Sequence, residues 1–239
     1  MSRTRLILLG LLAAVAVSVI ATASTSTPAS ASGSCSKVKT APGYCVEGVP
    51  LENATAEVEG TNSGASILKG TIASVTAEVK CENGKMTGTI EGGAAGAVGK
   101  SKANMTFEEC KLVTPTNCKL TEKTIETVEL KDELTGGGTK RIEDKFEPKE
   151  GTAFAGITIE GKESSCVIAH VGEKKQFIVS GSQLCQVDTS NTVAETEATT
   201  HKLKCTATGG LAIGTNPAEI TSEFSVKLKS GKTWSAKET

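Results

Sequence analysis

The stretch EVKCENGKMTG, residues 78–88, decides the fold because it joins a cysteine-bearing strand to a strong turn signal. Every second residue that leads into it is apolar or a cysteine, namely Ala73, Val75, Ala77, Val79 and Cys81. A period of two is typical of a strand with one buried face. Asn83-Gly84 follows, and this dipeptide favours a type I′ turn because both residues tolerate positive φ. The stretch therefore predicts a two-residue β-hairpin.

The predicted hairpin fixes the direction of the Cys81 side chain. A two-residue loop pairs Cys81 with Met86 and sets Ile90 on the same apolar face. A catalytic or redox-sensing thiol needs solvent access and a positive neighbour, and an inward-facing cysteine on an apolar face has neither. We therefore interpret Cys81 as half of a disulfide bond.

The other cysteines support the same interpretation, because all eight follow the N-terminal apolar segment. An even number of cysteines in an exported chain with few aromatic residues favours a disulfide framework. The chain has no C-x-x-C spacing, which argues against a zinc ribbon or a thioredoxin-like site. Sequence alone leaves the pairing open. Loop length and turn residues rank three pairs first and leave the fourth by elimination: Cys35–Cys45, Cys110–Cys118, Cys185–Cys205 and Cys81–Cys166.

The rest of the chain shows further strand patterns separated by turn residues. Alternation is cleanest at Ile220, Phe224, Val226 and Leu228. The other alternating segments are Ala153–Ile159, Ser165–Val171, Phe177–Val187 and His201–Ala207. In LTEKTIETVELKDEL, residues 120–134, the apolar spacing is helical, but the threonines favour a strand. The predicted fold class is all-β, an antiparallel β-sandwich or barrel with several disulfides.

The segment KLKSGKTW, residues 227–234, predicts a closing hairpin that carries the chain's single tryptophan. A three-residue loop with Gly231 in the left-handed position pairs Val226 with Trp234 and buries the tryptophan, which is the arrangement we favour. A two-residue loop would expose Trp234 and suggest a site where a sugar or another ligand stacks.

The N-terminus has the pattern of a secretory signal peptide. Arg3 and Arg5 precede the apolar run Leu6–Ala21, and Ala29-Ser30-Ala31 offers small residues for cleavage after Ala31. The alternative is an uncleaved anchor, but a helix over this run would reach only ~24 Å, short of the ~30 Å bilayer core. We predict a signal peptide at 1–31 and one secreted β-domain at 32–239, with sub-halves 32–119 and 120–239 as another organisation.

Charge and composition bound the partners of the predicted mature protein. The formal net charge is −1, and cleavage would leave Arg141 as the single arginine, so nothing favours nucleic-acid binding. No second apolar run follows the first, so we expect no membrane span after cleavage. Aromatic residues make up 3% of the chain, and the core must be built from smaller side chains, which makes disulfides valuable.

The sequence shows no catalytic or metal-binding motif such as G-x-S-x-G, H-E-x-x-H or a Walker loop. Cys166 and His170 share a face of one predicted strand, but they would lie ~13 Å apart, too far to act together. His170 is best explained as a residue of the sheet surface. We therefore predict no catalytic residue, no metal ligand and no cofactor.

Two C-terminal stretches, THKLKCTATGG at residues 200–210 and KLKSGKTWSA at residues 227–236, carry a resemblance. Together with the signal peptide, they resemble a group of uncharacterised exported proteins of actinobacteria and their relatives. In that group, cysteine-bearing β-strands precede a closing hairpin with a tryptophan. The resemblance implies export and β structure, and it implies no activity and no functional residue.

These observations predict a secreted, non-enzymatic β-module with a binding or cell-surface role. A cell-envelope component or an extracellular ligand is the expected partner. One alternative is a secreted hydrolase with a site assembled from distant loops, using His170 or His201 with a glutamate. Another is a barrel that binds a small apolar ligand in an unfilled interior lined by Phe177, Phe224 and Trp234.

Overall fold

The structure is a computed structural model that describes residues 41–94, 97–136, 141–206 and 210–238. The predicted signal peptide and Cys35 lie outside these residues. Antiparallel strands dominate the described chain, which confirms the predicted all-β fold class. The strands are β1 (Gly43–Val46), β2 (Val49–Pro50), β3 (Thr55–Asn62), β4 (Ser66–Ile72), β5 (Val75–Glu91), β6 (Lys100–Thr114), β7 (Cys118–Leu120), β8 (Thr124–Glu126), β9 (Leu130–Gly136), β10 (Ile142–Pro148), β11 (Ala153–Gly161), β12 (Lys174–Ser180), β13 (Gln183–Val187), β14 (Thr200–Cys205), β15 (Leu211–Ile213), β16 (Asn216–Leu228) and β17 (Trp234–Lys237). A short helix, α1 (Asn191–Ala194), follows β13.

Eight strands close into a ring, which we call the first ring. Its order is β14, β13, β10, β9, β6, β5, β3 and β16. The ring closes because β14 also pairs with β16, from Thr200 opposite Lys227 to Cys205 opposite Ser222. Apolar side chains on the inner face of each strand fill it, which explains why alternation is so clean in β16.

A second ring shares β16, β5 and β6 with the first and continues through β15, β12 and β11 on one side and β4 on the other. Residues 118–128 complete it between β6 and β11. Within that segment β7 pairs with β11, β8 pairs with β6, and Thr127 bridges to Ala155. The strand interpretation of residues 120–134 is thus confirmed, although the strands are short. The shared sheet also crosses the boundary between the two sub-halves, since β6 pairs with β9.

The two rings share long strands, and β5 shows how one strand serves both. Its first half pairs with β4 and its second half with β3, while β6 pairs along nearly its whole length. Cys81 and Gly84 are both buried although they are three residues apart, so the buried face of β5 changes between them. On β6, Phe107 and Cys110 change in the same way around Glu109, which has φ +55°.

The predicted hairpin at Asn83-Gly84 is therefore wrong. Both residues lie inside β5, where Asn83 is opposite Glu108 and Gly84 is opposite Phe107. A change of buried face within a strand interrupts the apolar alternation just as a turn does. Along β5, the pairing partner changes at this point from β4 to β3. The Asn62 side chain lies at the change, where its Oδ1 accepts a hydrogen bond from the Gly84 N–H at 2.7 Å. The inward direction of Cys81 is confirmed.

The two-residue turn of this region lies ten residues earlier. Ala73 and Ser74 connect β4 to β5 with φ of +48° and +66°, and Ile72 pairs with Val75 across the turn. Positive φ at both central residues is the type I′ arrangement. Neither alanine nor serine is a preferred residue there, so the sequence gives little indication of the turn.

Three disulfide bonds join described cysteines: Cys81–Cys110, Cys118–Cys166 and Cys185–Cys205. The last is the pair ranked from sequence, whereas Cys110–Cys118 and Cys81–Cys166 are wrong. Cys81 lies directly opposite Cys110 in the β5–β6 ladder, and Cys185 lies directly opposite Cys205 in the β13–β14 ladder. Strand register, which local sequence does not reveal, decides these pairs. Cys45 is also disulfide-bonded, but the predicted pair with Cys35 lies outside the described residues.

A three-stranded sheet of β17, β1 and β2 covers one end of the first ring and is called the cap below. Tyr44 from β1 and Trp234 from β17 are buried, with ring centroids 6.2 Å apart. Burial of Trp234 is confirmed, and Gly231 has the predicted positive φ of +74°. The predicted pairing with Val226 is wrong, because Trp234 pairs with Val46 instead.

The predicted strand Ser165–Val171 is not regular strand structure. Ile168 and Ala169 are nevertheless buried, whereas Val167 and Val171 are exposed. The Cys118–Cys166 bond and a hydrogen bond from Asn117 Nδ2 to the Ser165 carbonyl at 2.7 Å hold this loop in place. The alternation therefore came from a loop packed against the core.

Within the described ranges, no helix is long and apolar enough to cross a membrane.

Candidate functional site

A groove of about 380 Å³ opens on the outer face of four adjacent strands, β14, β16, β3 and β5. Its lining residues are Glu59, Gly60, Thr61, Lys85, Met86, Thr87, Thr200, Ser225 and Lys227. A volume of this size falls within the range of small-molecule sites. We call it the outer groove.

Strand register arranges the lining of the outer groove in two rows across the sheet. One row runs from Thr200 through Lys227 and Glu59 to Thr87, each opposite the next on a neighbouring strand. The second row runs from Ser225 through Thr61 to Lys85. These residues alternate with buried ones, so the same pattern that fills the first ring points polar side chains outward.

The chemistry of the outer groove is that of hydrogen bonding. Lys227 pairs with Glu59 at 3.1 Å, and Lys85 pairs with Glu108 at 2.8 Å, so the charges are largely balanced. Four hydroxyls of the lining have no side-chain partner among the described residues: Thr61, Thr87, Thr200 and Ser225. Each hydroxyl can donate one hydrogen bond and accept others.

Among the described residues, the cavities found inside the two rings are small. The cavity in the second ring is about 30 Å³ and apolar, and that in the first ring is about 20 Å³. Either has room for about one water molecule, and neither holds an organic ligand. Of the residues expected to line an apolar pocket, Phe224 and Trp234 are buried in the core and Phe177 is partly buried.

His201 is buried beneath the cap rather than placed in a cleft. Its Nδ1 lies 2.5 Å from Asp188 Oδ2, and its Nε2 lies 2.7 Å from the Trp234 carbonyl oxygen. The Lys202 N–H donates to the other oxygen of Asp188 at 2.9 Å. With both ring nitrogens engaged and the side chain 2% exposed, His201 fixes β17 to the ring and is not positioned for proton transfer to a substrate.

His170 lies in the loop after Cys166 and is exposed, as expected for a surface residue, although it does not lie on a strand. Its backbone N–H donates to Glu173 Oε2 at 2.8 Å. Cys166 is in a disulfide bond, so no thiol–imidazole pair forms. Neither histidine is thus placed as an alternative hydrolase site would require.

A second buried polar group occupies the first ring, and we call it the acidic cluster: Tyr44, Ser101, Asp132 and Asp144. The Tyr44 hydroxyl donates to Asp144 Oδ1 at 3.1 Å, and Ser101 Oγ donates to Asp132 Oδ2. Burial raises the pKa of Asp132 to about 6. Burial, followed by the charge of Asp132, raises the pKa of Asp144 well above its ordinary value.

The acidic cluster was not predicted, although the sequence contains a signal for it. Asp132 lies between Leu130 and Leu134, and Asp144 lies between Ile142 and Phe146, so alternation puts both on the inner face. Burial also raises the pKa of Tyr44, and the charges of Asp144 and Asp132 raise it further. Among the described residues, no group of three or more His, Cys, Asp or Glu residues could hold a metal ion.

Comparison with known proteins adds no relative: no protein-family model, no curated protein and no solved structure matches the chain. The functional inference therefore depends on the geometry of the chain itself. The disulfide bonds indicate an oxidising environment outside the cytoplasm.

Proposed function

We propose that the protein is a secreted, non-enzymatic β-module that binds a polar ligand through the outer groove. The observation that carries the proposal is the set of four hydroxyls without side-chain partners that face a groove of about 380 Å³. A hydroxyl-rich ligand can replace its hydrogen bonds to water with hydrogen bonds to these four groups, and it need not carry a charge to do so. We therefore propose that the ligand is a glycan of the cell envelope.

The rest of the molecule supports a binding role over catalysis. Outside the groove, the two histidines are either engaged on both nitrogens or exposed in a loop. Within the lining, Glu59 is the single carboxylate and is paired with Lys227. Disulfide-bonded sheets suit an extracellular or cell-surface setting, where proteases are abundant and a protein must be stable. The resemblance to exported actinobacterial proteins supports the same setting.

The proposal is tested by filling the outer groove. Thr61 and Thr55 are both exposed threonines on β3, but Thr61 lines the groove and Thr55 does not. We expect Thr61→Trp to abolish co-sedimentation of the purified protein with insoluble cell-wall glycan, because the indole would occupy the space of the ligand. We expect Thr55→Trp to sediment like the unmodified protein.

Equal sedimentation of both variants, or no binding of the unmodified protein to the glycan, would contradict the proposal. So would hydrolysis of an ester, peptide or glycan that is lost on substitution of His170 or His201. Far-ultraviolet circular dichroism of each variant establishes that the sheet is retained.

A further inference from the structure

The two polar rows of the outer groove continue beyond the groove onto β6. Asn104 lies opposite Thr87, and Thr106 lies opposite Lys85, so each row gains one more polar residue. Directly opposed residues of an antiparallel pair point to the same face of the sheet. Asn104 is exposed and Thr106 is half-buried, whereas their neighbours along β6 are buried. We call the extended band the polar strip: Thr200, Lys227, Glu59, Thr87, Asn104, Ser225, Thr61, Lys85 and Thr106.

The polar strip offers hydrogen-bonding groups and little net charge. Its lysines are paired with carboxylates, as in the outer groove. Within the described part of the chain, the Asn104 amide and the Thr106 hydroxyl have no side-chain partner. Charged residues bound both ends, since Lys202 lies opposite Ser225 and Glu126 lies opposite Thr106. The chemistry of the strip therefore fits a ligand that is rich in hydroxyl groups and carries no net charge.

The extent of the polar strip indicates the size of that ligand. Neighbouring strands lie about 4.8 Å apart, so the five strands from β14 to β6 span roughly 19 Å. A disaccharide is shorter than this distance, whereas an extended polysaccharide chain can contact every strand.

The pairing of the same five strands favours a glycan over a peptide. An extended peptide binds by adding to an unpaired strand edge. Each of the strands β14, β16, β3, β5 and β6 already pairs with a neighbour on both sides. We infer that the outer groove is one part of a longer site, in which an uncharged polysaccharide chain lies across the strands from β14 to β6. This inference rests on the proposed function, the binding of a glycan by the outer groove.

The inference is tested with soluble fragments of the same cell-wall glycan, sorted by length. Disaccharides and chains long enough to cover the polar strip are titrated into the purified protein in a calorimeter. We expect the long chains to bind about tenfold more tightly, because they also reach the hydrogen-bonding groups of β6.

Variants on β6 separate these contacts from the greater number of binding positions that a long chain offers. Thr106→Val removes a hydroxyl and keeps the branched shape of the side chain, and Asn104→Ala removes an amide. Each should weaken the binding of long chains about fivefold and leave the binding of disaccharides unchanged. Thr76→Val, at an exposed position of β5 outside the polar strip, should change neither. Thr61→Trp, inside the groove, should abolish both.

Two results would overturn the inference and leave glycan binding by the outer groove in place. One is equal affinity for disaccharides and long chains. The other is a preference for long chains that both β6 variants retain in full. Absence of binding at either length would contradict the proposed function, and the inference with it.

Discussion

At the scale of single residues, Ala73 and Ser74 have positive φ angles, which are unfavourable in free energy for residues that carry a Cβ. Left-handed φ costs roughly 1–2 kcal/mol for a residue other than glycine, asparagine or aspartate. Replacing the pair with Asn-Gly, Ala73→Asn with Ser74→Gly, should therefore raise the free energy of unfolding by about 1 kcal/mol or more. Denaturant melts of the two proteins provide the measurement.

Asn83 supplies the contrasting control, because it carries the turn signal but lies within β5. Asn83→Thr should leave the free energy of unfolding unchanged or raise it, since threonine favours an exposed strand position. Were Asn83-Gly84 a type I′ turn, the same substitution would destabilise the protein, because a β-branched residue resists positive φ.

Asp132 and Asp144 make the stability of the protein depend on pH. Burial raises the pKa of both carboxyls in the folded state. Their contribution is therefore fully present below the unfolded pKa and is lost as pH rises through the folded pKa, which is about 6 for Asp132 and is also raised for Asp144. The free energy of unfolding should fall as pH rises from about 4 through about 6.

The variants identify the groups responsible for that slope. Asp132→Asn should flatten the pH dependence measured by denaturant melts, whereas Glu126→Gln, which removes an exposed carboxylate, should preserve it. A free energy of unfolding that is constant or rises over this range in the unmodified protein would contradict the assignment of raised pKa values.

At the scale of elements, strand register determines which cysteines meet. Cys81–Cys110 and Cys185–Cys205 each join directly opposed residues of adjacent strands, and Cys118–Cys166 fixes a loop to β7. Digestion without reduction, followed by mass spectrometry, should yield these three linked peptide pairs. A peptide linking Cys110 to Cys118, the pair that loop length favours, would show that the register is wrong.

The same scale shows what sequence can predict. A strand with uninterrupted alternation, such as β16, is predictable because one face packs inside a ring and the other meets water. The change of face in β5 is not, because locally it has the same pattern as a turn. The position of Trp234 follows from its apolar character, but its partner Val46 is nearly two hundred residues away in sequence. No local signal encodes such a pairing.

The candidate site is likewise only partly predictable from the sequence. The outward direction of Thr61 and Thr87 is predictable from alternation, but their meeting in one groove requires the order of the strands. The inward direction of Asp132 is likewise readable from its neighbours. Its convergence with Asp144 and Tyr44 depends on ring closure and on the cap, which are non-local.

At the scale of the whole molecule, one sheet closes into two rings that share β5, β6 and β16. Closure fills the interiors and leaves the outer groove as the larger space. It also surrounds the acidic cluster. An open sandwich would instead separate β14 from β16 and divide the lining of the groove.

The pairing of β14 with β16, which we call the seam, closes the first ring and therefore tests ring closure most directly. Nuclear Overhauser contacts between backbone protons should link His201 with Val226 and Leu203 with Phe224, which lie opposite each other across the seam. We expect these contacts together with those from Leu203 to Val187 on the other side of β14. Contacts from β14 to β13 alone, with none to β16, would show an open sheet and contradict the double ring.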